Sequence, residues 1–145
     1  DIGADALAFL QYTSGSTSEP KGVMVSHGNL MANFGMIERN MGLHFDASLV
    51  SWLPMFHDMG LIGNVLEAFY LGARTALISP QAFVQAPARW LRLITRHAGT
   101  FTGAPNFAYA LAARQVTEEQ KAVFWDQLGE ASGGYRIVPV DGDDG

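Results

Sequence analysis

Short runs of consecutive apolar residues, each closed by glycine, proline or hydroxyl side chains and separated by segments with helical spacing, set the strongest limit on the fold. Ala6 to Leu10, Val23 to Val25, Ser48 to Leu53, Ala73 to Ile78 and Thr100 to Thr102 read as strands, the first of them short and buried. Ser26 is a candidate helix N-cap, and Leu30, Phe34, Ile37 and Met41 then recur at spacings of four, three and four, which is one apolar helical face. A second helix is expected through Leu61 to Leu71, with Gly63 leaving its limits open. Pro87 suits the first turn of a helix bearing Trp90, Leu91 and Ile94. Another helix is expected to bury Phe107, Ala108 and Leu111 and to turn Tyr109 to a different surface. Thr117 and Gln120 form a capping-box pattern for a helix containing Phe124 and Leu128, and Tyr135 to Val138 reads as a return strand. Alternation of this kind predicts an α/β layer arrangement rather than a helical bundle.

Composition removes several function classes. Nine basic and fourteen acidic residues give a net charge of −5, so there is no general attraction for nucleic acid or an anionic membrane. With no cysteine, a disulfide framework, a thiol nucleophile and a four-thiolate zinc site are all ruled out. The histidines His27, His44, His57 and His97 lack metal-ligand spacing, and no protein-held metal is assigned. Trp52, Trp90 and Trp125 are far apart in sequence and lack a basic track, so they read as core aromatics rather than a stacking platform for single strands. No apolar run approaches the length of a membrane span, and a cytoplasmic setting is expected.

The chemistry is concentrated in Tyr12-Thr13-Ser14-Gly15-Ser16-Thr17-Ser18-Glu19-Pro20-Lys21-Gly22. Hydroxyls donate to phosphate oxygens, turn amides form an anion nest, and Lys21 adds a mobile positive charge. The Walker-A pattern needs glycine directly before its lysine, whereas Pro20 stands here, and Gly-x-Gly-x-x-Gly after a strand is missing. A second cluster is Trp52-Leu53-Pro54-Met55-Phe56-His57-Asp58-Met59-Gly60-Leu61-Ile62-Gly63, and a third is Gly103-Ala104-Pro105-Asn106-Phe107-Ala108-Tyr109.

The first cluster resembles the signature loop of adenylate-forming ligases, and the second narrows the resemblance toward fatty acyl-AMP ligases. The resemblance runs from about Ala6 through Arg114. It implies an α/β fold, part of the large N-terminal domain, with a mostly parallel sheet and packed helices. It also implies that Thr13, Ser14, Gly15, Ser16, Thr17 and Lys21 bind ATP phosphates, with Lys21 catalytic. Phe56, His57, Gly103, Pro105, Phe107 and Tyr109 are implied as an acyl or adenylate pocket; His57 taken alone also reads as a structural loop residue. ATP is the implied substrate, with Mg²⁺ expected beside it, and a fatty acid is the implied partner. An acyl carrier protein is the further partner; CoA, an amino acid, or bare nucleotide and acyl binding without catalysis stand as alternatives. Ser18 stands where many relatives have glycine.

Later family motifs for adenine, for ribose and for a C-terminal lysine are not recognisable. Residues 1–140 are therefore expected to be a partial adenylation-domain core and 141–145 an acidic, glycine-rich terminal segment. On this reading the chain is a fragment, inactive alone and active within its parent enzyme.

Overall fold

The computed structural model describes residues 2–13 and 21–122. Two compact units divide the chain, Asp1–His44 and Phe45–Gly145. Among the described residues no helix is long and apolar enough to cross a membrane. The expected helix around Phe124 and Leu128, the return strand and the acidic segment lie outside the described residues.

In the first unit β1 (Leu7–Thr13) pairs antiparallel with β2 (Lys21–Ser26), from Leu7 opposite Ser26 to Thr13 opposite Lys21. The seven residues joining them are too few for a crossover, since parallel neighbours need a dozen or more. Chain length alone therefore enforces a hairpin. The expected buried strand is in place but half-exposed, with Leu7 at 48% and Leu10 at 46% accessibility, because a two-stranded ribbon cannot enclose its own faces. Across the register Tyr12 faces Gly22, and a methyl group on Gly22 would come within 3.3 Å of the Tyr12 ring.

Helix α1 (His27–Met41) begins directly after β2. The Ser26 hydroxyl accepts the Asn29 amide at 3.1 Å, and the Asn29 side chain accepts the Ser26 amide at 3.0 Å, closing a capping box. Leu30 and Phe34 are buried as the spacing predicts, whereas Met41 remains exposed. Gly42 ends the helix in the left-handed region at φ 65°, which glycine adopts without a Cβ penalty.

The second unit is organised around β3 (Ser48–Ser51), every residue of which is buried. β4 (Arg74–Leu77) pairs parallel on one side of it, and on the other Phe101 makes an isolated parallel bridge to Leu49. The sheets are thus mixed, antiparallel in one unit and parallel in the other, and the expected mostly parallel sheet is corrected accordingly. The expected strand at Thr100 to Thr102 shrinks to that bridge because its side chains take over the pairing. Thr100 Oγ1 accepts the Ser48 amide at 2.9 Å, and the Thr102 hydroxyl donates to the Val50 carbonyl at 2.7 Å.

One crossover from β3 to β4 contains α2 (Asp58–Gly60), a π-helix (Leu61–Leu66) and α3 (Glu67–Leu71) in unbroken succession. After β4 come α4 (Pro80–Gln85), capped by the Ser79 hydroxyl on the Ala82 amide at 3.2 Å, and α5 (Ala88–Arg96). The last named helix is α6 (Asn106–Gln115). Beyond it the Thr117–Gln120 capping box is formed in both directions, at 3.3 and 3.1 Å, opening helical residues 118–122. The core joins Val50, Trp52, Leu53, Phe83, Trp90, Ile94, Ala104 and Ala108. Burying side chains such as Phe83 and Ile94 contributes about 1.5–3 kcal/mol each.

Gly60 and Gly63 separate the roles of glycine in the second motif. A methyl group on Gly60 would land on the Pro54 carbonyl, with its carbon 2.9 Å away, whereas nothing lies within 4 Å of one on Gly63. Chemical denaturation should show Gly60→Ala destabilised by roughly 1–3 kcal/mol or more, because the obstacle is backbone. Gly63→Ala should be neutral or stabilised by up to about 1 kcal/mol, the ordinary helix-interior preference.

Candidate functional site

The hairpin places the ends of the phosphate motif. Thr13 closes β1 and Lys21 opens β2 as opposed register partners, so the pairing of these two residues sets the base of the connecting loop. Lys21 is exposed at the start of its strand. Ser14, Gly15, Ser16 and Thr17 lie outside the described residues. Of the six expected phosphate ligands, the structure thus sets the backbone of Thr13 and the position of Lys21.

In the second unit the turn Pro54 to Gly60 presents Phe56 and His57. Three backbone features hold it: the His57 amide donates to the Pro54 carbonyl at 3.1 Å, the Leu61 amide donates to the His57 carbonyl at 2.9 Å, and Gly60 packs against Pro54. Phe56 is 87% exposed. The His57 ring caps α2. Its Nδ1 lies 3.2 Å from the Met59 amide and 2.8 Å from Asp58 Oδ1, while Oδ1 also accepts the Met59 amide at 2.7 Å. Nδ1 accepts the Met59 amide, as the cap of a helix does, and shares that amide with the neighbouring Asp58 carboxylate. Asp58 orients the imidazole and the α2 amide together, a structural duty consistent with its place in the first turn.

Gly103, Ala104 and Pro105 lead from the Phe101 bridge into α6, and the Pro105 carbonyl accepts the Ala108 amide at 2.9 Å. Gly103 has open space where a side chain would stand, and Pro105 takes the N-cap place. Phe107 departs from the expected buried face. It is 57% exposed, because Ala108 and Ala112 instead face the core and let α6 approach closely. The Phe107 ring meets the Trp52 ring edge-on at 6.0 Å. Tyr109 is half-exposed and tilts against Trp90 at 5.4 Å.

Trp52 and Trp90 are buried as the expected core aromatics and are neighbours at 6.5 Å, while Trp125 lies outside the described residues. Trp52 stacks on Phe83 with centroids 4.1 Å apart and planes 10° from parallel, and Trp90 meets Phe83 edge-on at 5.7 Å. The Trp90 indole donates to Thr102 at 3.0 Å, and Thr102 passes its own proton to the β3 carbonyl of Val50. Thus Phe107 and Tyr109 rest on two indoles anchored to the central strand. These supporting rings are separated by helices in sequence, and only the tertiary fold unites them. Among the described residues no group of three or more His, Asp or Glu could hold a metal ion.

The AMP-binding enzyme family matches residues 1–141. The chain is 48% identical over 118 residues to the medium-chain-fatty-acid–[acyl-carrier-protein] ligase TtuA of Teredinibacter turnerae, covering 81% of this chain and 18% of that protein. It is 45% identical over 141 residues to the long-chain-fatty-acid–AMP ligase FadD26 of Mycobacterium marinum, covering 92% of this chain and 24% of the relative. Among solved structures, a fatty acyl-adenylate ligase from L. pneumophila, in complex with acyl adenylate and pyrophosphate, superposes with a TM-score of 0.78 at 46% identity. That match covers 83% of this chain and 21% of the solved one. The chain therefore spans about a fifth to a quarter of the length of these relatives.

Burial pushes the Tyr109 phenol above its ordinary value, opposed by a smaller effect of the Ala104 backbone, which favours the phenolate. A folded-state value raised above the unfolded one gives stability that is complete below the unfolded value and lost as pH rises through the folded one. Unfolding midpoints should therefore fall through the alkaline range above the ordinary tyrosine value. In Tyr109→Phe that decline should be shallower, and the absorbance titration at 295 nm should lose the contribution of one tyrosine in the alkaline range.

Proposed function

This chain belongs to the AMP-binding enzyme family of adenylate-forming ligases, and from that premise we propose that the whole protein activates a fatty acid by joining it to AMP. The observation that carries the reading is the hairpin whose base pairs Thr13 with Lys21 beneath the Ser/Thr/Gly motif, in a chain matched to this family over most of its length. A carboxylate oxygen of the fatty acid attacks the α-phosphorus of ATP. The bond from that phosphorus to the bridging oxygen breaks, and pyrophosphate leaves with the electron pair. At neutral pH the carboxylate is already deprotonated, so no general base is required. What the reaction needs is alignment and relief of repulsion among negative groups.

Thr13, Ser14, Ser16 and Thr17 with the Gly15 backbone take the phosphate oxygens, and Lys21 offsets the charge that grows on the leaving pyrophosphate. Mg²⁺ enters as a complex with ATP and neutralises phosphate charge. Phe56, Gly103, Pro105, Phe107 and Tyr109 take the acyl chain; each CH₂ buried there adds about 0.8 kcal/mol. The His57 ring, held against Asp58 and the Met59 amide, presents a polar edge beside Phe56 rather than a base. The finer reading is transfer of the activated acyl group to an acyl carrier protein, supported by the similarity to a ligase named for that acceptor. Transfer to CoA is the competing outcome.

Fatty-acid-dependent exchange of labelled pyrophosphate into ATP tests the proposal in the whole protein. Native protein should exchange with fatty acids and not with amino acids, and Lys21→Ala should be slower by about 100-fold or more, the scale of losing one fixed charge-stabilising group. Exchange driven by amino acids, or none with short and long fatty acids in a folded protein, would exclude it.

A further inference from the structure

The π-helix between α2 and α3 contains one side chain that reaches back to the exposed turn. Asn64 is 1% exposed, and its Nδ2 donates to the Met59 carbonyl at 2.7 Å, five residues earlier. Its Oδ1 is buried and meets no hydrogen-bond partner among the described residues. Met59 is also the residue whose amide is shared by Asp58 and His57. Asn64 therefore grips one end of the residue whose other end orients the imidazole.

Stability alone does not account for this arrangement. A dry carbonyl oxygen is a cost that leucine, of similar volume, would avoid. A π turn is also less favourable than continued α-helix and recurs mainly where a site needs a side chain moved around the axis. The extra residue per turn is what brings Asn64 over the Met59 carbonyl.

We propose that Asn64 is a positioning residue that fixes the Phe56–His57 turn for the acyl substrate, an inference that rests on the adenylation reading above. Asn64 touches no substrate atom; it acts through Met59 on the Phe56–His57 turn. The whole protein is compared with Asn64→Leu, Asn64→Asp and, as a distant core control in the same unit, Val116→Ala. Asn64→Leu should fold and raise KM for the fatty acid about tenfold, while KM for ATP stays within about twofold. Asn64→Asp should show the same defect near pH 8 and recover toward native as pH falls, because a protonated carboxyl regains a donor for the Met59 carbonyl. Val116→Ala should lower the melting temperature without changing the fatty-acid KM.

A folded Asn64→Leu protein with native fatty-acid KM, or an equal rise in both KM values, overturns the inference. If native protein activates no fatty acid, the functional reading fails, and hydrogen exchange across residues 56–62 decides the positioning claim. Exchange should accelerate at least about tenfold in Asn64→Leu; unchanged protection overturns it.

Discussion

The stack of Trp52 on Phe83 is the contact on which the second unit depends. Trp52 immediately follows β3, so its backbone leaves the sheet at the same point where its ring enters the core. Phe83 comes from α4, Trp90 from α5 and Phe107 from α6, and all three rings meet that indole. One side chain thus links the central strand to three helices, two of them buried partners and one displaying an exposed aromatic. Parallel pairing on either side of β3 supplies the frame, and Thr102 ties Trp90 to it by a hydroxyl relay. Phe107 and Tyr109 are backed by the rings of Trp52 and Trp90.

The first unit solves a different problem. On the proposed phosphate-binding reading, the Ser/Thr/Gly motif needs a fixed base. Antiparallel pairing down to Thr13 and Lys21 supplies the base, and the capping box at Ser26 turns the chain into α1 without delay. Hydrogen bonds from the His27 amide to the Ala6 carbonyl at 3.0 Å and from the Gly28 amide to the Ala4 carbonyl at 2.7 Å bind the start of that helix to the segment preceding β1. The lysine is therefore carried on a strand held through its neighbours, not on a free loop.

Much of this was legible in sequence, and the failures have physical causes. The Ser26 cap, the Leu30–Phe34 face, β3, β4 and the Thr117–Gln120 box all follow from local chemistry and formed as expected. The antiparallel sense of the first pair was available from the seven-residue connection, but the family resemblance implied a mostly parallel sheet. Helix α4 is too short to show a period, although Ser79 followed by Pro80 is a helix-start signal. The π-helix left no mark, because one added residue per turn is hidden in a segment that is apolar on nearly every side. The candidate pocket residues Phe56, His57, Phe107 and Tyr109 were singled out through motifs, whereas the contacts of Trp52 and Trp90 behind Phe107 and Tyr109 required the tertiary fold. Asn64 was not singled out from the sequence, and only the fold gives it the Met59 carbonyl as a partner.

The central claim is that a fatty carboxylate attacks the α-phosphorus of ATP in the protein built around this hairpin and aromatic core. The most direct measurement follows the oxygen atoms. Fatty acid carrying oxygen-18 in its carboxylate is turned over by the whole protein, the acyl group is released with hydroxylamine, and the nucleotide is weighed by mass spectrometry. AMP bearing a single labelled oxygen, with unlabelled pyrophosphate, is the expected result. Unlabelled AMP, or ADP and phosphate as products, would contradict the account.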